Sequence, residues 1–303
     1  MSVAERPAGN STLAGILWMV TAGLFFVGMT GGVRYLGSDL PVLQAAFLRY
    51  AFGLLLIFPA IRSVLHHRPT LNALKLYTAR GLVHTGAVVL WFYAMARIPI
   101  AEVTAIGYTA PIFVTIGAAL FLGEKLHLHR IAAVGLGFLG TLIILRPGFE
   151  TISLGQLAQL CAAPFFATSF LIAKKLTDEE NPAVIVIMLS LFCTILLLPG
   201  AIWQWRTPTT EELLVLALTA TFATAGHYSI TKAYSLAPIT VTQPISFLQL
   251  VWAGLLGLAM FDEALDPYVI AGGAVIISAA AYISHREATM ARRIKTPPSD
   301  ATR

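Results

Sequence analysis

Glu124, in "FLGEKL" at 121–126, and Glu263, in "MFDEAL" at 260–265, each close a long apolar run two residues before a leucine, 139 residues apart. A carboxylate at the end of an apolar helix has two uses: it is solvated there, or it latches a neighbouring helix. Arg49 lies about seven residues into another apolar run, where an arginine faces a bundle interior or a wet cavity. It is a partner for a substrate carboxylate or a structural group bonded to helix-end carbonyls. Arg80 is nearer a run's polar end, so its side chain is expected to snorkel outward. His84 and Trp91 are seven apart, and Thr224, His227, Thr231 and Tyr234 recur at spacings of three and four, so each set shares one helical face. Such faces imply a cavity or hydrogen bonds between helices. Tyr108, Gln159, Gln243, Gln249 and Trp252 extend this inventory. Its chemistry is recognition: aromatic stacking and amide or guanidinium hydrogen bonds to amino and carboxylate groups.

Nothing comparable points to catalysis. The chain has no H-E-x-x-H, no G-x-S-x-G and no Walker P-loop, so neither a zinc hydrolase nor an ATP-driven pump is expected. "GLGFLG" at 135–140 fits G-x-G-x-x-G but lies in an apolar run without a preceding strand, which suits close helix packing rather than a dinucleotide. His66, His67, His127 and His129 sit in short basic loops and do not make a metal set. No cofactor and no metal are expected.

The elements that position these residues follow from composition. Of 303 residues, 57% are hydrophobic and 12% charged, with mean hydropathy +0.78, against about 25% charged in a soluble domain. Stretches 13–33, 103–123, 151–173, 181–205 and 233–261 contain no Asp, Glu, Lys or Arg, and a bilayer core needs about 20 apolar residues per helix. The chain therefore reads as an all-α integral membrane protein. Ten helices are expected: roughly 12–34, 42–62, 75–96, 99–122, 128–146, 153–174, 182–204, 212–234, 238–260 and 267–284. The first apolar run exceeds a signal peptide's core and is read as a span. The basic, Pro-containing end "TMARRIKTPPSDATR" is expected to be disordered. Cys161 and Cys193 fall within apolar helices and are read as small buried residues. The excess of five positive charges forms no aromatic-interleaved stripe, so nucleic acid is not an expected partner.

Residues 99–145 laid on 238–284 share eight identities in 47 positions, Glu124 on Glu263 among them, and their helix boundaries coincide. The chain thus divides into an N-terminal tail (1–11), two five-helix repeats (12–146 and 147–284) and a C-terminal tail (285–303). Five spans per repeat invert the second copy, and the charges agree. With both termini in the cytoplasm, fourteen Lys and Arg fall on that side, while the outer loops hold Arg34, Arg97, Arg146 and Arg206, the bias that retains basic loops inside. Ten transmembrane helices in two inverted repeats around a central cavity is a plan typical of secondary transporters. All fifteen acids lie in loops, tails or span ends, leaving His84 and His227 as the candidates for proton coupling. Uniport or exchange is the simpler expectation.

"FLRY" in the second helix, "GYTAPIFVTIGAALFLGEKL" closing the fourth and its echo "SFLQLVWAGLLGLAMFDEAL" closing the ninth resemble the EamA branch of the drug/metabolite transporter superfamily. The likeness spans about residues 12–284, and in length and polar-aromatic inventory it is similar to bacterial amino-acid exporters, those of the YddG type included. It implies a basket in which helices 1, 3, 4, 6, 8 and 9 surround a cavity, with helices 5 and 10 peripheral. The implied activity is export of amino acids or similar small zwitterions from the cell across the inner membrane. A carrier of another metabolite, such as a nucleoside derivative or S-adenosylmethionine, is the alternative; an intramembrane enzyme would need an acidic partner for His84 or His227. The expected partners are a small-molecule substrate and the bilayer, with the chain a monomer or homodimer.

Overall fold

The computed structural model of the chain describes residues 8–57, 69–110, 113, 128–146, 151–176, 180, 182–236, 245–246 and 248–295. They form ten helices: α1 (Ala8–Leu36), α2 (Val42–Ile57), α3 (Leu71–Met95), α4 (Ile100–Gly107), α5 (Leu128–Leu145), α6 (Leu154–Leu176), α7 (Pro182–Trp203), α8 (Thr210–Leu236), α9 (Leu248–Phe261) and α10 (Pro267–Lys295). Local chemistry sets their starts. Thr70 accepts the Ala73 N–H at 3.1 Å ahead of α3. Ser153 with Gln156, and Thr209 with Glu212, form reciprocal side-chain and backbone bonds at the starts of α6 and α8, so two otherwise unpaired N–H groups are met at each helix. Asp266 accepts the Tyr268 N–H at 2.8 Å to open α10.

Segments within α1, α6, α7 and α8, namely Leu13–Leu36, Leu154–Ala173, Ala183–Trp203 and Thr210–Ile230, are long and apolar enough to cross a membrane. Large apolar side chains stand on the outside of the bundle, Leu55, Phe138, Ile202 and Met260 among them, as a lipid solvent allows. Two expectations are corrected. Cys161 is exposed while Cys193 is buried, because an apolar run in a membrane protein has a lipid face as well as a packed one. The C-terminal segment is helical through Lys295: "HREATMARRIK" is rich in good helix formers, and Pro297 and Pro298 follow it.

The packing repeats itself. α1 lies on α8 as α3 lies on α6; α1 meets α9 as α6 meets α4; α3 meets α7 as α8 meets α2; and α2, α4 and α5 pair with α7, α9 and α10. Exchanging each helix with the one five places along returns the same pairs. Direction is readable as well. Side chains or backbone pair Leu43 with Gly200 and Tyr50 with Cys193; Ile100 with Glu263 and Tyr108 with Ser246; Gly140 with Ile276 and Ile144 with Gly272. In all three pairs residue numbers rise on one helix as they fall on the other, so the helices run antiparallel. Glycine permits the closest approach: a Cβ at Gly140 would lie 2.7 Å from the Gly272 carbonyl oxygen.

Candidate functional site

One end of the bundle is stitched by polar contacts. α9 stops where Asp262 takes a left-handed φ of 52°, and the Glu263 N–H reaches back to the Gly257 carbonyl at 3.1 Å. This turn holds the Glu263 carboxylate against two other helices. Its Oε1 lies 2.7 Å from Arg34 Nε at the end of α1, and its Oε2 accepts the Ile100 N–H at 2.8 Å at the start of α4, where the helix dipole favours an anion. Arg34 also donates to the Met95 carbonyl at 3.0 Å, ending α3. Around this tie, Tyr35 donates to Glu211, Gln156 to Glu102, and Arg146 pairs with Asp266 at 2.6 Å. Gln44 exchanges two bonds with the Arg206 backbone, and the Arg206 guanidinium bonds Glu212 and the Asp39 carbonyl. Glu124, the repeat counterpart of Glu263, lies outside the described residues.

Deeper in the bundle is a cavity of about 30 Å³ lined by Arg49, Tyr50 and Gly53 of α2, Arg80 of α3, Val186, Leu189 and Ser190 of α7, and Ala220, Thr224 and His227 of α8. Arg49 and Arg80 are each 7% exposed. Arg80 thus does not snorkel: Gly81 brings α3 close to Phe192 of α7, and the guanidinium turns inward to donate to the Ile185 carbonyl at 3.3 Å. Arg49 lies 4.1 Å over the Tyr50 ring. The Nε of each arginine is buried without a hydrogen bond.

The residues singled out in the sequence divide around this cavity. Arg49 and His227 line it, and His227 meets Phe26 of α1 edge-on at 5.2 Å. His84 stands behind it: Nδ1 is 2.9 Å from Ser169 Oγ and Nε2 is 3.0 Å from Tyr50 Oη, so it joins α3, α6 and α2 and positions the Tyr50 ring. The others lie away from it. Trp91 meets Phe92 edge-on. Tyr108 donates to the Ser246 carbonyl at 2.8 Å. Gln159 is buried against Gly107, and Trp252 packs on Gly23 of α1. Tyr234 is on α8, without a described side chain, and Gln243 lies outside the described residues. This cavity is lined from α2, α3, α7 and α8; aromatic rings on opposing glycines, Phe222 on Gly28 and Phe165 on Gly86, fill the α1–α8 and α3–α6 seams. Arg80, Tyr50 and Ser190 were missed. "FLRY" displays Tyr50 beside Arg49, but nothing in the sequence marks Ser190.

What this arrangement can do is hold a small polar group between helices of both halves while one end is tied shut. The chain is 31% identical to a riboflavin transporter of Vibrio cholerae, covering 97% of this chain and 98% of the relative. It is 28% identical to an S-adenosylmethionine uptake transporter of Rickettsia bellii (84% and 87%) and 27% identical to a pseudopaline exporter of Pseudomonas aeruginosa (89% and 96%). A solved crystal structure 17% identical matches with a TM-score of 0.59 over 95% of this chain and 99% of its own, a likeness of fold. The two halves of the packing pattern coincide with two matches to one family model, at residues 13–146 and 153–285, and the chain is a multi-pass membrane protein of the EamA-like transporter family.

Proposed function

We propose that the chain is an alternating-access secondary carrier in the cell's inner membrane, built from ten spans in two inverted five-helix repeats, with both termini cytoplasmic. Its cargo is a small organic metabolite; amino acids and other zwitterions are the leading class, moved outward along their own gradient. The reading rests most on the tie that Glu263 makes to Arg34 and Ile100, because it joins the end of α9, the fourth helix of the second repeat, to two helices of the first at one mouth of the bundle. Such a contact is made when a mouth is shut and lost when it opens. The antiparallel pairing of α2, α4 and α5 with their counterparts supports inversion, and the basic residues supply the orientation. A second reading, a carrier of another metabolite, is favoured by the relatives named for riboflavin and S-adenosylmethionine.

Counterflow in proteoliposomes, with labelled amino acids, riboflavin and S-adenosylmethionine offered singly, tests both. Saturable exchange above empty vesicles is expected for at least one compound, and its identity chooses between the readings. Absence of exchange for every compound, in vesicles that retain folded protein, would refute the carrier reading for these classes.

A further inference from the structure

We propose that Arg49 and Arg80 form an oxyanion subsite, which takes the carboxylate or phosphate head of the transported metabolite. The proposal deepens the carrier reading and rests on it for the word transported, but the site stands on its own geometry. Two guanidinium groups, each 7% exposed, face one cavity from α2 and α3. Neither forms an ion pair among the described residues; the described pairs belong to Arg34, Arg146 and Arg206 at the stitched end. The described contacts are the Tyr50 ring face and hydroxyl for Arg49 and one long bond to a carbonyl for Arg80, and both Nε groups are buried without a hydrogen bond. A buried charge without a counter-charge is strongly disfavoured, and two of the same sign more so. A bound anion removes both penalties, and the guanidinium fork matches a carboxylate or phosphate with paired bonds.

Size narrows what enters. About 30 Å³ admits a few water-sized groups, far below the roughly 300–1,000 Å³ that encloses a whole drug-sized ligand. The cavity in this conformer is therefore a head-group pocket, with Ser190 and Thr224 as further hydrogen-bonding partners on the opposite wall. Its walls come from α2 and α3 of one repeat and α7 and α8 of the other, so an anion there bridges the two halves.

The test uses purified full-length protein and matched probes. Thermal stabilisation in detergent is measured with benzoate against benzamide, and counterflow with L-phenylalanine against L-phenylalaninamide and with riboflavin 5′-phosphate against riboflavin. The member that carries the carboxylate or phosphate is expected, in at least one pair, to act at a concentration lower by tenfold or more, and Arg49→Gln and Arg80→Gln to erase that preference. Which pair responds separates a carboxylate from a phosphate. Arg49→Lys, which keeps the charge and loses the fork, should keep part of the preference; if the glutamine variants do not fold, the parent's preference and its loss of strength in Arg49→Lys decide. Stabilisation by benzoate with no counterflow would leave the subsite standing and sink the carrier reading. Equal action of the probes with and without the carboxylate or phosphate, no response to any of them, or a preference unchanged in both glutamine variants would overturn the subsite.

Discussion

Glu263→Gln should loosen the stitched end. The substitution keeps the shape and leaves a carbonyl to accept the Ile100 N–H, but it removes the negative charge 2.7 Å from Arg34 Nε. Opposite charges about 4 Å apart attract by about 4 kcal/mol at an effective dielectric near 20, and desolvation offsets much of this. The glutamate side chain is 9% exposed and that of Arg34 21%, so water recovers part of the loss, and about 1.4 kcal/mol is a fair expectation. That is a tenfold shift toward the open mouth. Val103, one turn inside the tie and 1% exposed, reports it. In a background lacking Cys161 and Cys193, a Val103→Cys protein in detergent should react with a water-soluble maleimide about ten times faster when Glu263→Gln is added. Arg34→Gln should act alike, and the double variant should add little, because the two residues form one interaction. An unchanged labelling rate, or full additivity of the two single effects, would refute the argument that this ion pair holds the mouth closed.

Three further outcomes are expected. Single cysteines at Ser38 and Thr209 should be labelled from outside intact cells and those at Arg68 and Asp178 from the cytoplasm; outside labelling at Arg68 would reverse the proposed orientation. Gly140→Val should destabilise the protein by about 1–3 kcal/mol, read as a lower melting temperature in detergent, since the new side chain meets the Gly272 carbonyl oxygen and both the backbone and the stiff, β-branched side chain of Ile276. Counterflow at neutral pH should proceed without an imposed pH gradient, because His84 has both ring nitrogens engaged with Ser169 and Tyr50 and no described acid lines the cavity; concentrative uptake abolished by a protonophore would show proton coupling and point to His227.

The helices were legible because a bilayer demands long apolar runs, and runs without a single charge leave few ways to divide the chain. Their ends were legible where capping chemistry is written locally, as in "TPTTEELL", and not where it is absent: hydropathy marks where a helix leaves lipid, and α10 continues beyond that point because Ala, Arg and Met favour helix in water too. Rotation was the harder quantity. The distance of Arg80 from the helix start suggested its depth, yet its burial depends on the side of α3 that faces α7, which Gly81 and Phe192 decide together. Likewise the spacing of His84 and Trp91 gave a shared face but not the neighbour each would meet. His84 found Ser169 and Tyr50 as partners, while the cavity received Arg80 and Ser190, which no spacing connects. Arg34 and Glu263 are the same case over a longer separation: each was visible as a charge at a span end, and only the fold pairs them.

The close seams say which helices should travel together when the mouth opens. Phe222 of α8 sits over Gly28 of α1, and Phe26 of α1 over Gly226 of α8, so the two helices are keyed in both directions, and sliding one along the other would drive rings into backbone. α1 meets α9 through Trp252 on Gly23 and the flexible Leu256 on Gly31, both keyed from α9 into α1 rather than in both directions, and through the Arg34–Glu263 pair that opening must break. The expected motion carries α1 with α8 and separates α1 from α9. Disulfide staples test this in the same cysteine-free background. A Cβ at Gly28 lies 3.4 Å from Phe222 Cγ and one at Gly31 lies 3.8 Å from Leu256 Cγ, positions from which paired cysteines can close. Oxidising Gly28→Cys with Phe222→Cys should leave counterflow within about twofold of the reduced protein, since the bond joins parts that move as one. Oxidising Gly31→Cys with Leu256→Cys should abolish it, and reduction should restore it. Arrest by the first staple, or transport through the second, would mean that the bundle divides along a different seam.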